Sequence, residues 1–325
     1  MRSMTCTEAL REALHEEMAR DERVFLMGED IAAYGGAFGV TRGLLDTYGP
    51  ERVRNTPISE PGFVGAAVGA ALAGSRPVVE IMFMDFITLA MDQLVNQAAK
   101  LHYVFGEQAT CPLVVRAVGG AGRCYGPTHS QNLEAWFVHA PGIKVVAPSS
   151  PAEAKGLLKA AVRDDNPVLF VEHKLLYNRR EDMPDDAGRP LPIGKARIVR
   201  PGEDLTIVAW SWMAAEAEEA AHRLAAEDIE AEVIDLRSLS PMDTDTIVDS
   251  ARKTGRVLVV EEGHRTGGVA AEIACRIFEN AHDYLDAPIR RLAATDNPIP
   301  AGPALEQAMI PNAARIVDAA LELVD

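Results

Sequence analysis

Asn55-Thr-Pro-Ile-Ser-Glu60-Pro-Gly-Phe-Val-Gly65 carries a single carboxylate, Glu60, to the point where a strand gives way to a helix. Proline follows it. Gly62, Gly65 and Gly69, with Ala66, Ala67, Ala70 and Ala71 between them, let the helix backbone pack against a neighbour with almost no side chain in the way. A helix so rich in glycine needs a tertiary reason to form. Glu60 itself has two readings: a first-turn glutamate favoured by the helix dipole, or an acid held where it reaches a bound group.

Working outward, the same strand-to-helix step recurs. Thr5 and Glu8 have capping-box spacing, and Leu10, Leu14 and Met18 recur every four residues, which predicts a first amphipathic helix. Apolar runs at Val24–Met27, Val78–Phe83 and Leu113–Val118 then alternate with helices expected over about Pro61–Ala73 and Phe86–Phe105. Strands at Ile143–Val146 and Val168–Val171 flank a helix near Ala152–Val162. This alternation predicts an α/β fold with a mostly parallel, doubly wound sheet. From Asn178 to Pro192 the chain turns polar and rich in turn formers, with Asp185 and Asp186 among them, and reads as a linker. Beyond it, strands at Thr206–Trp210, Ala231–Leu236 and Val257–Val260 alternate with helices near Met213–Ala226, Asp243–Lys253 and Gly268–Asn280, giving a second, smaller α/β domain.

A chain of 325 residues exceeds what one hydrophobic core usually organises. Its formal charge of -16 disfavours nucleic acid and anionic membrane surfaces as partners. Cys6, Cys111, Cys124 and Cys275 lie far apart, so neither a disulfide framework nor a zinc site is expected, and a reducing cytoplasm fits. The first twenty residues lack the apolar core of a signal peptide, and no apolar run approaches the length of a membrane span.

Among local motifs, Gly119-Gly-Ala-Gly-Arg-Cys-Tyr-Gly126 has only two of the three glycines of G-x-G-x-x-G and no P-loop lysine, which argues against a dinucleotide site. The loop leads into Pro127-Thr-His-Ser-Gln131, placing His129 beyond the carboxyl end of a strand, where open α/β sheets bind ligands. Gly28-Glu-Asp30 with Asn55 has the outline of the Gly-Asp-Gly…Asn motif that binds magnesium diphosphate in thiamin enzymes, but Glu29 and Asp30 replace its second and third residues. Glu261, Glu262 and His264 read more readily as a solvated loop that caps the next helix than as metal ligands. Asp164-Asp-Asn166 before Pro167 reads as a turn, with oxygens that would also suit a hard cation.

Taken together, Thr56-Pro-Ile-Ser-Glu60, Met84-Asp-Phe-Ile-Thr-Leu-Ala-Met-Asp-Gln93, Asn96-Gln-Ala-Ala-Lys100, His129-Ser-Gln131, Pro141-Gly-Ile-Lys-Val-Val146, Arg163-Asp-Asp-Asn-Pro167 and Gly263-His-Arg-Thr-Gly-Gly268 resemble one family in the same order. It is the beta subunit of the thiamin diphosphate-dependent decarboxylase component of 2-oxo acid and acetoin dehydrogenase complexes. The resemblance runs from about Thr5 to the C-terminus. It implies two doubly wound domains: residues 1–178 as a pyrimidine-binding domain and 193–325 as a transketolase C-terminal-like domain, joined by the linker 179–192. An alpha subunit, paired with this chain in an alpha-two beta-two heterotetramer, holds the diphosphate and magnesium, which accounts for the missing motif. A lipoyl-bearing acyltransferase component receives the acyl group. By the resemblance, Glu60 contacts the cofactor's aminopyrimidine nitrogen, Phe86 lies beside that ring, and Glu29 lines a path between paired active sites. His129 assists proton handling or orients the acyl group. Backbone oxygens of Leu113, Ala161, Val162, Asp164 and Asn166 form a potassium site.

The chain also departs from its relatives. Leu89 stands where several pyruvate-specific members carry glutamine, and Arg123-Cys-Tyr125 is bulkier than the usual loop. Acetoin and pyruvate are therefore both expected donors, with a branched-chain 2-oxo acid as the alternative. A noncatalytic assembly subunit is disfavoured because docking alone requires neither Glu60 nor His129. A self-sufficient transketolase-like enzyme would need the diphosphate motif.

Overall fold

A computed structural model describes residues 2–184 and 187–324, so Asp185 and Asp186 of the expected linker lie outside the described residues. The chain forms two compact units: one of residues 1–119 and 136–193, the other of residues 120–135 and 194–325. The segment Gly120–Ala135, which contains His129, thus groups with the second unit.

The first unit is built on six parallel strands in the order Lys144–Val146, Val168–His173, Val114–Gly119, Arg76–Ile81, Val24–Gly28 and Val53–Asn55. The central strands read as near-continuous apolar runs because both of their faces are covered. Helix Cys6–Arg20 starts with the expected capping box: Thr5 Oγ1 accepts from Glu8 N–H at 3.2 Å, and Glu8 accepts from Thr5 N–H at 2.7 Å. Its Leu10, Leu14 and Met18 are buried in the core shared with helix Pro151–Arg163. A fully buried leucine contributes roughly 1.5–3 kcal/mol. Lys155 bridges the two helices through Glu12 at 2.6 Å and Glu16 at 2.7 Å.

The helix expected over Phe86–Phe105 is not one regular helix. A 3₁₀ segment Met84–Ala90 leads into a π-helical segment Asp92–Ala98 and then α-helix Ala99–Val104. The apolar spacing of this stretch signals a helix without fixing its pitch, and such wide turns recur at functional sites. The polar stretch after Asn178 is also ordered where described: Arg180–Asp182 pairs antiparallel with Ser3–Thr5.

The second unit has a five-stranded sheet in the order Arg290–Ala294, Val257–His264, Leu205–Ala209, Ala231–Asp235 and Arg197–Arg200, parallel except for the last strand. Helices Trp212–Ala225 and Ala313–Val324 bury their apolar faces in its core. Helix Thr244–Thr254 adds a buried hydroxyl cluster, with Thr206 Oγ1 at 2.6 Å from Ser250 Oγ and 2.8 Å from Thr254 Oγ1. Among the described residues no helix is long and apolar enough to cross a membrane.

Candidate active site

In the first unit, the carboxyl ends of adjacent strands bring two of the expected residues together. Gly28 and Asn55 are register partners, and Thr56 N–H donates to Gly28 O at 2.9 Å. Gly28 is required by close approach: a Cβ there would lie 2.6 Å from the carbonyl oxygen of Glu80. Glu29 follows directly, and its carboxylate accepts from Ser59 N–H, the residue before Glu60. Helix Glu60–Leu72 begins at Glu60 itself, with Pro61 next, and Glu60 is only 4% exposed. Burial, then the neighbouring charges of Glu60 and Asp30, push the Glu29 carboxyl above the ordinary carboxylate range. Glu29 Oε1 and Thr56 Oγ1 are buried without a hydrogen-bond partner among the described residues. Such acceptors fit a polar, donor-bearing ring at this edge, and an aminopyrimidine is one. Phe86, half-buried in the 3₁₀ segment, stands edge-on to Phe83 with centroids 6.0 Å apart. Leu89 is exposed.

Beneath this edge lies a charge cluster that sequence reasoning missed. Arg116, 1% exposed, donates to Glu172 at 2.6 and 2.8 Å and to Glu80 at 2.6 Å, and Tyr177 Oη donates to Glu172 at 2.5 Å. Glu80 also abuts the loop after Glu29, where a Cβ on Gly36 would lie 2.8 Å from Glu80 Oε1. The cluster therefore supports the loop that follows Glu29.

Four of the five residues expected to bind potassium, Leu113, Ala161, Val162 and Asp164, have backbone oxygens already in use. Leu113 O accepts from Val168 N–H at 2.8 Å and Ala161 O from Asp164 N–H at 3.2 Å. Val162 O and Asp164 O each accept from the Arg76 guanidinium at 3.0 Å. Asn166 turns back, donating its N–H to Asp164 Oδ1 at 2.9 Å. These oxygens fit a monovalent cation only as shared acceptors.

His129 belongs to the second unit. Its N–H donates to Gly126 O at 3.3 Å and its Nδ1 lies 3.1 Å from Thr128 Oγ1. Nearby, Pro127, Gln131, His264, Thr266, Asp296 and Asn297 line a cavity of about 460 Å³. His264 Nδ1 is 2.8 Å from Thr295 O, so in the neutral ring Nδ1 carries the hydrogen. Asp296 accepts from the Thr266 hydroxyl at 2.6 Å and N–H at 3.0 Å, which holds its carboxyl below the usual range.

Here the expectation of a solvated Glu261-Glu262 loop is corrected. Both residues lie in strand Val257–His264, 2% and 7% exposed. Glu261 does cap the next helix, accepting from Val269 and Ala270 N–H. It does so from a buried position so close to the backbone that a Cβ on Gly268 would lie 2.2 Å from its Oε1. The short-range signal for a cap was legible. Burial was not, because the covering helix follows in the chain. Among the described residues no group of three His, Cys, Asp or Glu side chains is arranged to hold a metal ion.

Residues 2–180 match the family model described as transketolase, pyrimidine binding domain, and residues 194–316 match transketolase, C-terminal domain. The chain is 48% identical to a pyruvate dehydrogenase E1 component subunit beta of Rickettsia felis, over 97% of each chain. It is 49% identical to one of Rhizobium meliloti, over 98% of this chain and 69% of that one. It is 47% identical to a mitochondrial one of Dictyostelium discoideum, over 98% and 90%. A solved structure described as a split gene transketolase, inactive beta4 tetramer, superposes with a TM-score of 0.80 at 25% identity, covering 99% of this chain and 98% of that one. With two matched domains in this order and near-full-length relatives at almost half identity, the chain belongs to the transketolase-like family of pyruvate dehydrogenase E1 component beta subunits.

Proposed function

We propose that this chain is the catalytic beta subunit of a thiamin diphosphate-dependent 2-oxo acid dehydrogenase component, acting on pyruvate or acetoin and passing the acyl group to a lipoyl acceptor. The observation that carries the proposal is the pair Glu29 and Glu60 at the carboxyl edge of the first sheet, in a chain whose relatives are pyruvate dehydrogenase beta subunits. Thiamin diphosphate, when bound, supplies a cationic thiazolium that takes up the electron pair released as carbon dioxide or acetaldehyde leaves.

Glu60 would hold a proton at the pyrimidine ring nitrogen. Its burial keeps water from competing for that hydrogen bond, and its fixed place in the first helical turn orients the carboxyl before the cofactor arrives. Glu29, its carboxyl raised by burial and then by the charges of Glu60 and Asp30, would stay nearer its neutral form than an exposed glutamate. Phe86 would exclude water from one side of the ring. Glu29 and Asp30 replace the second and third residues of the diphosphate motif, so the diphosphate and magnesium would be held by an alpha subunit in an alpha-two beta-two assembly. His129 would handle a proton during acyl transfer to lipoamide. A potassium ion at Leu113, Ala161, Val162, Asp164 and Asn166 would share carbonyls with Arg76 and with backbone N–H donors.

The test is Glu60→Gln in the assembled enzyme, with dye reduction measured on pyruvate, acetoin and 2-oxoisovalerate. Turnover on the preferred substrate is expected to fall at least about 10²-fold, or roughly 2.7 kcal/mol of transition-state stabilisation, with assembly intact. Near-normal turnover would sink the role assigned to Glu60. The wild-type substrate preference decides between the donors.

A further inference from the structure

The glycine-rich segment before His129 is an unusual piece of backbone. Gly120, Gly122, Cys124 and Gly126 all have positive φ, at 89°, 88°, 57° and 81°. A chain that turns repeatedly through the left-handed region cannot join a ladder, so its N–H groups need other acceptors. Two glutamates supply them. Ala121 N–H donates to Glu262 Oε1 at 2.6 Å. Cys124 N–H donates to both oxygens of Glu306, at 3.2 and 3.1 Å, and the Cys124 thiol donates to Glu306 Oε2 at 3.3 Å. Glu306, on helix Pro303–Met309, is 2% exposed. Glu262 is likewise buried, in strand Val257–His264.

We infer that Glu262 and Glu306 are positioning residues, two buried carboxylates that clamp the loop Gly120–Gly126 and thereby fix where His129 stands. Hydrogen bonds from backbone N–H to a carboxylate are charge-assisted and directional, and roughly twice as strong as neutral ones. Both anchors come from elements far along the chain, 141 and 182 residues from their partners. The loop is therefore shaped by the second unit's own framework. His129 follows Cys124 by five residues and its N–H donates back to the last glycine of the loop, so a shift at Cys124 is passed on to His129. The Cys124 side chain, bulky for this place, adds a donor to the clamp. The catalytic consequence rests on the role proposed for His129; the clamping of the loop does not.

The experiment compares Glu306→Ala, Glu306→Gln, His129→Ala and the Glu306→Ala/His129→Ala double variant, each in the assembled enzyme with thiamin diphosphate. Two quantities are read: hydrogen exchange of the peptide covering residues 120–128, by mass spectrometry, and the lipoamide-dependent rate. Glu306→Ala is expected to speed exchange in this peptide and lower the rate, each about tenfold. Glu306→Gln, which keeps one acceptor oxygen, should lose less of both. On the His129→Ala background, Glu306→Ala should lower the rate no further, because a residue acting through another has nothing left to position. Unchanged exchange in Glu306→Ala overturns the clamp. Losses that multiply in the double variant overturn its action through His129. Normal turnover of His129→Ala alone removes the proposed role of His129, and the clamp is then decided by exchange. If Glu306→Ala does not assemble, Glu262→Gln is read in the same two ways, with the same outcomes deciding.

Discussion

Replacing Arg116 by leucine is expected to destabilise the first unit by about 3–5 kcal/mol at pH 8, the cost of leaving buried charge without its counter-ion. The figure follows from the surroundings of Arg116. Three guanidinium nitrogens are committed at 2.6–2.8 Å to two carboxylates, and neither Glu80 nor Glu172 is accessible enough for water to replace the lost donors. At an effective dielectric near 20, each pair at such distances is worth on the order of 5 kcal/mol of attraction before desolvation is subtracted. Burial already pushes the Glu80 carboxyl above its ordinary range with Arg116 in place. Without Arg116, the folded state should bind a proton there that the unfolded chain, titrating near about 4.3, has lost. A carboxyl whose folded value is raised costs stability as pH climbs through the interval between the two values. The deficit should therefore be smaller at pH 5 than at pH 8. Urea denaturation followed by circular dichroism at both pH values measures it, and the triple variant Arg116→Leu/Glu80→Gln/Glu172→Gln should recover most of the loss. A deficit below about 1 kcal/mol at pH 8, or one independent of pH, would refute the reasoning.

Two further expectations concern helix starts. Burial, then the charge of Glu134, pushes the Glu261 carboxyl up to about 8, so the folded protein retains a proton that the unfolded chain releases at lower pH. Wild-type stability should fall as pH rises from the ordinary glutamate value toward 8 and then level off. Glu261→Gln, which keeps an acceptor for Val269 and Ala270, should gain on wild type across that window. Thermal midpoints at pH 5 and pH 8 that differ equally in the two proteins would contradict this. Thr5→Ala removes one half of the capping box and should cost about 1 kcal/mol in denaturant titrations, while Thr5→Ser should restore most of it.

Much of the local architecture was legible because its causes are local. The Thr5–Glu8 box spans three residues, and the strand Val114–Gly119 shows as an apolar run interrupted only by Arg116. The junction at Glu60 announced a carboxylate at a helix start, and the helix begins there, while its burial came only with the tertiary structure. The region after Met84 was harder, since apolar spacing over a few turns does not separate 3₁₀, π and α pitches.

The sequence by itself determined the strand and helix alternation, the first helix and its cap, and the carboxylate at the head of the glycine-rich helix, because propensity, capping and periodicity act over a few residues. Only the tertiary structure decided which charges meet. Glu80 comes within reach of Arg116 because their strands pair with these two residues in register, and Glu172 completes the cluster from the strand on the other side. Glu306 finds Cys124 across 182 residues of chain. Such pairings are fixed by sheet register and by helices packing over strands, and no short-range pattern encodes a partner that far away.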